Sequence, residues 1–455
     1  MSVTVPMDEL YREFITTNAK NPRAMDELRR ILTCDNDFPV NVSPKELLPI
    51  DALEIRLDLI RKVEDKWCKN FTALTKRPAS EYKPFSDHQI AALMFMEFRT
   101  LEEMAYLDSY KNGSMFRFAN LQAITCTLKI FVTKSMSQEE IGSAQAARPA
   151  VDRGFNNAAE ALSVSSGDEE EMRKKTTKLD TTGKAKRNDY YKDKRRMLDQ
   201  HQCIVTGMSN PAICHIIPYC ANATEGLREL WGKCIDVTGT LGLVPPKDVS
   251  RLQTMFSSER GISDRHWNMI SLCPTLHDWW GRGYFGLQYL GTKTPPVGDR
   301  KAPITLQVQL RWLMWRHRSF GEGPKGMIER TVDGMRAAFP ELENPERPRY
   351  CGDHSVADGR PFIAHPTARG FSVKDGDVFE VSIEERHMEK MILAFELQWA
   401  LIKLIAMAGG AETLDDADFK PDFLDGDWDL PGAKPSSLIV PLFDFWHNHE
   451  RGEPS

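Results

Sequence analysis

Three segments constrain this chain most: QCIVTGMSNPAICHIIPY (202–219), WNMISLCPTLHDWW (267–280) and GYFGLQYLG (283–291). The first reads as two short strands around the Thr206-Gly207 turn, with His215 ending the second strand. Asn268 then precedes a short apolar run, and His277 follows it by nine residues. Downstream, ITLQVQLRW (304–312) alternates strictly, with Ile304, Leu306, Val308, Leu310 and Trp312 on one face. Thr305, Gln307, Gln309 and Arg311 fall on the other, which predicts a half-buried strand pairing with the Gly283–Gly291 segment. The expected fold class is α+β.

Two imidazoles and an amide in this order are what water-driven phosphodiester cleavage calls for. One imidazole deprotonates water, the amide orients it, and the second imidazole holds a cation that neutralises charge on the phosphate. The region from about Lys186 to Arg318 resembles an HNH (ββα-metal) nuclease domain, in the variant common in fungal proteins. The matching features are Cys203 with Thr206-Gly207, the His215-Ile216-Ile217-Pro218 run, Asn268 before its apolar run, and Leu276-His277. They cover under a third of the chain.

The resemblance implies His215 as general base, Asn268 as the residue fixing its ring, and His277 as ligand to one divalent metal on a helix beneath the strands. Mg²⁺ or Mn²⁺ is expected ahead of Zn²⁺ or Ni²⁺. Two positions depart from the family pattern. Cys214 stands where many such sites carry a second ligand, and Gly281 where the closer variant carries an Asp one turn after the metal-binding His. Arg282 is a candidate phosphate contact. So are Lys194, Arg195 and Arg196, which end a basic run with Tyr190 and Tyr191 interleaved. Trp279 and Trp280 are expected in the core. Cys203, Cys214, Cys220, Cys234 and Cys273 cluster in this region, but their spacings lack the close pairs of structural zinc sites.

The chain of 455 residues has room for two or three domains. Four segments are expected: a helical N-terminal region over 1–135, a disordered linker over 136–185, the HNH-like domain over 186–318 and a mainly helical C-terminal region over 319–455. Within the first, Ser43-Pro44 reads as a helix start, Pro49 as a break, and Leu53, Leu57, Ile60 and Trp67 as one buried face. Ser86 or Asp87 is set to cap another helix carrying Ile90, Leu93, Met94 and Phe98, ahead of a stop at Asn112-Gly113. The 136–185 stretch is small and polar, then basic, and too poor in large apolar side chains to offset its ordering entropy. Between His215 and Asn268 lies an insertion, about Ala221 to Asp264, reading as two helices about a Gly/Pro-rich turn. A further helix is expected over 381–408. It is apolar except for a stripe of Glu389, Glu396 and Lys403, which suits a buried helix with one wet edge rather than a membrane span.

A net charge of −6 means that any surface for a polyanion is local. Nine cysteines without CxxC pairs, and no signal-like N-terminus, point to reduced thiols and an intracellular site, nucleus or cytoplasm. The leading function is a metal-dependent endonuclease whose partner is nucleic acid, DNA ahead of RNA. A catalytically degenerate HNH fold that binds nucleic acid or a protein without cutting is the alternative. An interaction protein whose helical flanks carry the function is a third.

Overall fold

The computed structural model describes residues 40–41, 52–75, 84–106, 114–132, 189–258, 260–293, 303–313, 331–338 and 375–410, with single residues at 78, 80, 82, 373 and 414. The 136–185 segment, Ser43-Pro44, Pro49 and Asn112-Gly113 lie outside the described residues.

The N-terminal helices form as their spacing predicts. In α1 (Leu53–Thr75), Leu53, Leu57, Ile60, Val63 and Trp67 recur on one face and are buried. Ser86 caps α2 (Asp87–Phe95) in a reciprocal box: its hydroxyl accepts from the Gln89 backbone, and its own N–H donates to the Gln89 side chain. That helix stops at Met96, so Phe98 opens α3 (Phe98–Tyr106) instead of continuing it. Arg56 of α1 donates to the carbonyls of Met94 and Met96 at 3.1 and 2.8 Å, satisfying acceptors at the end of α2. The next helix, α4 (Ser114–Val132), packs against both α2 and the insertion.

The insertion is helical as expected, comprising α6 (Glu225–Thr240) and α7 (Pro246–Ser257) after α5 (Asp189–Leu198). Around it lie β2 (Ala212–His215), β3 (Met269–Leu272) and α8 (Pro274–Arg282). A second sheet joins distant parts of the chain. Its order is β1 (Val40–Asn41), β6 (Asp377–Ile383), β5 (Ile304–Trp312) and β4 (Phe285–Lys293), antiparallel throughout. The predicted pairing of residues 304–312 with the 283–291 segment is present, with a register shift between Tyr289 and Gly291.

Two details depart from the pattern in the sequence. The polar face of β5 is not wet at its far end: Gln309 and Arg311 are each 2% exposed. The Asp375–Gly376 turn covers them, with Arg311 3.5 Å from Asp375 and Gln309 donating to the Gly376 carbonyl. The 381–408 helix also starts late, because residues up to Ile383 extend β6 and α10 spans Glu385–Met407. A short helix, α9 (Val332–Ala338), lies between β5 and β6.

The apolar body of α10 packs against α2, α4, α7, β4 and β5. Glu389 and Glu396 stay exposed, while Lys403 lies over the rings of Phe95 and Trp399 at 4.8 and 5.3 Å. Burial pulls the Lys403 ammonium down to about 8. No helix among the described residues is long and apolar enough to cross a membrane. One core cluster runs from α1 through the insertion to α10, so the described parts of the N-terminal, HNH-like and C-terminal regions share one interior.

Close approach of α10 to β4 depends on Gly286. A β-carbon there would meet Trp399 Cζ3 at 2.8 Å and Ile402 Cγ2 at 3.0 Å. Gly286→Ala is therefore expected to destabilise the protein by roughly 1–3 kcal/mol, read as a lower urea midpoint at unchanged slope. An unchanged midpoint would mean that α10 is not seated on β4 in this way.

Candidate functional site

The site is built on β2 and β3, which pair antiparallel with His215 opposite Met269 and Ala212 opposite Leu272. The expected hairpin around Thr206-Gly207 is reduced to one bridge, Gln202 to Ser209, and β2 takes β3 as its partner instead. The turn itself is tight: Gly207 has φ +69°, and its N–H donates to the Cys203 carbonyl at 2.8 Å. Ile204 N–H then donates to the Ser271 carbonyl at 2.9 Å, which fastens the turn to β3.

His215 and Asn268 are brought together by the backbone. Ile216 N–H donates to the Asn268 carbonyl at 2.8 Å, so the helical insertion closes as a loop and leaves the two positions adjacent. The Asn268 side chain, fully buried, does not reach the His215 ring. Its Oδ1 accepts from Ile217 N–H at 2.9 Å, and its Nδ2 donates to the carbonyls of Ile217 and Ser263 at 2.7 and 2.9 Å. It is a clamp on the chain leaving β2 and on the chain entering β3.

The group on the His215 ring is Asp264. Its Oδ1 lies 3.0 Å from His215 Nε2. Asp264 is 4% exposed and His215 13%, so the carboxylate is shielded while one edge of the imidazole stays open. A carboxylate only accepts, so this hydrogen bond requires a proton on Nε2. Tyr219 tilts against the imidazole with centroids 5.9 Å apart. Cys214, at the position of a second ligand in many related sites, is buried with its thiol toward the Ala212 carbonyl.

His277 lies half-buried on α8, the helix following β3 and in contact with both β2 and β3. Four residues on, a β-carbon on Gly281 would meet nothing within 4 Å. Asp278, the nearest carboxylate in sequence, is paired with Arg282 at 2.9 Å. The start of α8 is held by sulfur. Cys273 receives a hydrogen bond from the Cys203 thiol and further ones from the backbone N–H groups of Leu276 and Thr275, which pull its thiol below the ordinary value. Cys203 also accepts from Thr206 N–H at 3.3 Å, so the two thiols link the Thr-Gly turn to α8. Trp280 is buried, and Trp279 packs edge-on against Trp312.

The basic residues divide sharply. Arg195, expected to meet nucleic acid, is instead fully buried and forms a two-point pair with Asp199. It donates in addition to the Ser382 carbonyl, while Asp199 accepts from Ser271 N–H at 3.0 Å. No phosphate can reach it. Lys194 is 18% exposed and bound to Glu384 at 2.9 Å. Arg196 and Arg282 remain at the surface, on Asp193 and Asp278 respectively.

Among the described residues, one set of three donor side chains lies close enough to share a metal, and it contains neither His215 nor His277. It is His266, Glu384 and His387. Burial drives the His266 imidazole down to about 4, and Glu384 is held well below the usual carboxylate range, first by His266 and then by Lys194. Nothing in the sequence marked these residues, which come from opposite sides of the β4–β5–β6 sheet in chain order.

If Asn268 is a clamp, Asn268→Ala leaves the Ile217 N–H and two carbonyls unpaired in the interior. A loss of about 3 kcal/mol is expected at roughly 1–3 kcal/mol per orphaned group, and urea unfolding measures it. A loss under about 1 kcal/mol would reduce the amide to a bystander.

Residues 203–288 match the HNH endonuclease family. No curated protein and no solved structure matches the chain. The match begins at the Cys203 turn, takes in His215, Asp264, Asn268 and His277, and ends within β4. Residues 203–288 of this chain are an HNH nuclease domain.

Proposed function

We propose that the chain is a metal-dependent endonuclease that hydrolyses phosphodiester bonds of DNA, with RNA the less favoured substrate. The observation that carries this reading is the 3.0 Å contact between His215 Nε2 and Asp264 within the HNH domain. It sets the ring so that Nδ1 takes the proton of the attacking water, and Asp264 stabilises the imidazolium that forms. Asn268 is a positioning residue, acting through the backbone on either side of that pair.

His277 would supply one imidazole to a divalent metal, and the metal would supply positive charge for the scissile phosphate. With one protein nitrogen and no carboxylate at Gly281, the donor set fits an ion completed by water and phosphate oxygens. Mg²⁺ or Mn²⁺ would serve ahead of Zn²⁺ or Ni²⁺. Arg196 and Arg282 lie at the surface, Arg196 on Asp193 and Arg282 on Asp278 and Tyr284, and are the cations placed to turn toward a nucleic-acid backbone. Lys194 is less available, and Arg195 is not part of that surface.

A second reading has support of its own. The missing acidic ligand at Gly281 suits a degenerate HNH domain that binds nucleic acid without cutting it. The two separate in a supercoiled-plasmid nicking assay of the full chain with Mg²⁺, Mn²⁺, Zn²⁺ or EDTA. The nuclease reading expects metal-dependent nicking that falls by roughly 10²–10⁴ in His215→Ala. Because the space beside Gly281 is open, Gly281→Asp is expected to add a ligand and lower the metal concentration needed for cleavage. Plasmid binding without nicking in any metal, with Gly281→Asp still inactive, would favour the binding module.

A further inference from the structure

We propose that His266, Glu384 and His387 form a second metal site, one that takes Zn²⁺ and fastens α10 to the turn carrying Asn268. Three donor atoms of these side chains lie within 4.8 Å of one another. His266 Nε2 is 3.5 Å, and His387 Nε2 3.7 Å, from the same oxygen, Glu384 Oε2. In a tetrahedral Zn²⁺ site with bonds of about 2.0–2.1 Å, neighbouring donors stand about 3.3 Å apart. The two carboxylate–imidazole edges therefore need only a few tenths of an ångström of contraction. Two imidazoles and one carboxylate, with a fourth position for water, suit this ion.

The second observation is His266 itself. Its side chain is 1% exposed, and neither ring nitrogen has hydrogen-bond geometry to a protein group. A buried imidazole left in that state carries a desolvation cost that a metal bond would offset. Tyr191 lies parallel to its ring at 6.0 Å and fixes the plane. The groups opposing a cation are Lys194, 2.9 Å from Glu384 Oε1 and donating to Oε2 at 3.1 Å, and Arg386, which donates to Oε2 at 3.1 and 3.3 Å. Arg386 is 40% exposed and can withdraw to solvent, and an ion on Oε2 would confine Lys194 to the other oxygen, Oε1.

The placement gives such an ion a structural task. His266 opens the short 3-10 turn His266–Asn268, two residues after Asp264. Glu384 and His387 belong to the start of α10, outside the HNH match. A metal here would pin the segment between the His215 partner and the Asn268 clamp onto a helix that the HNH domain does not contain. The inference does not rest on cleavage, and failure to nick plasmid would leave it standing.

The test uses the full chain carrying His277→Ala, so that an ion at the HNH site is not counted, stripped of metal and titrated with Zn²⁺ against a chromogenic chelator. One Zn²⁺ per chain and a raised Tm are expected. His387→Ala and Glu384→Gln should each weaken binding by more than the roughly 10–100-fold typical of an outer-shell loss. Lys194→Met leaves all three ligands but removes the nearest opposing charge, so it should bind more tightly. A folded His277→Ala chain that takes up no Zn²⁺ would overturn the proposal. So would uptake indifferent to both ligand variants, or loss of uptake in Lys194→Met.

Discussion

The site depends on one side chain, the carboxamide of Asn268. It accepts from Ile217 and donates to Ile217 and Ser263, while its own backbone carbonyl receives Ile216 N–H. Those bonds close the helical insertion at its neck, so α6 can pack outward on α4, and α7 on α6 and α10, without disturbing β2 and β3. His215 stands directly before the clamped Ile216–Ile217 pair, and Asp264 directly after Ser263. Fixing the neck thus fixes both members of the His–Asp pair. In a dry interior an amide with both ends satisfied holds geometry well, and an amide half satisfied would be a liability.

A second constraint carries the domain into the rest of the chain. Arg195 and Asp199 lie one helical turn apart near the end of α5, wholly out of solvent. Their remaining hydrogen bonds go to Ser382 on β6 and Ser271 on β3. The pair therefore joins the two sheets formed by the described residues, and breaking one side of it would cost about 3–5 kcal/mol. With β1 and β6 completing the sheet begun by β4 and β5, and α10 packed across it, the HNH domain shares its core with both flanks. Its matched residues are a site set into a larger interior.

Much of this could be read from residue order and period. The Ser86 capping box, the buried face of α1, the two insertion helices and the β4–β5 pairing follow from local rules. The ordered set of His215, Asn268 and His277 is legible as a resemblance to the HNH family, within the matched residues 203–288. Most of the misses share a cause: pairing between residues distant in the chain. Asp264 is an ordinary loop acid until the neck closes, 49 positions from His215. The polar face of β5 reads as wet because the Asp375–Gly376 turn that covers it lies far downstream. Arg195 reads as part of a basic run, yet Asp199 four residues later was a local signal that the two could pair on one helix face. His266, Glu384 and His387 share no motif and meet only through the packing of α10.

On the proposed reading His215 is a base, with a proton on the nitrogen facing Asp264. Nitrogen-15 NMR of the His215 ring in the full chain tests that most directly, read beside Asp264→Asn. A ring proton on Nε2 is expected, with that preference lost in the variant. A ring protonated at Nδ1, or a spectrum unchanged by Asp264→Asn, would contradict it.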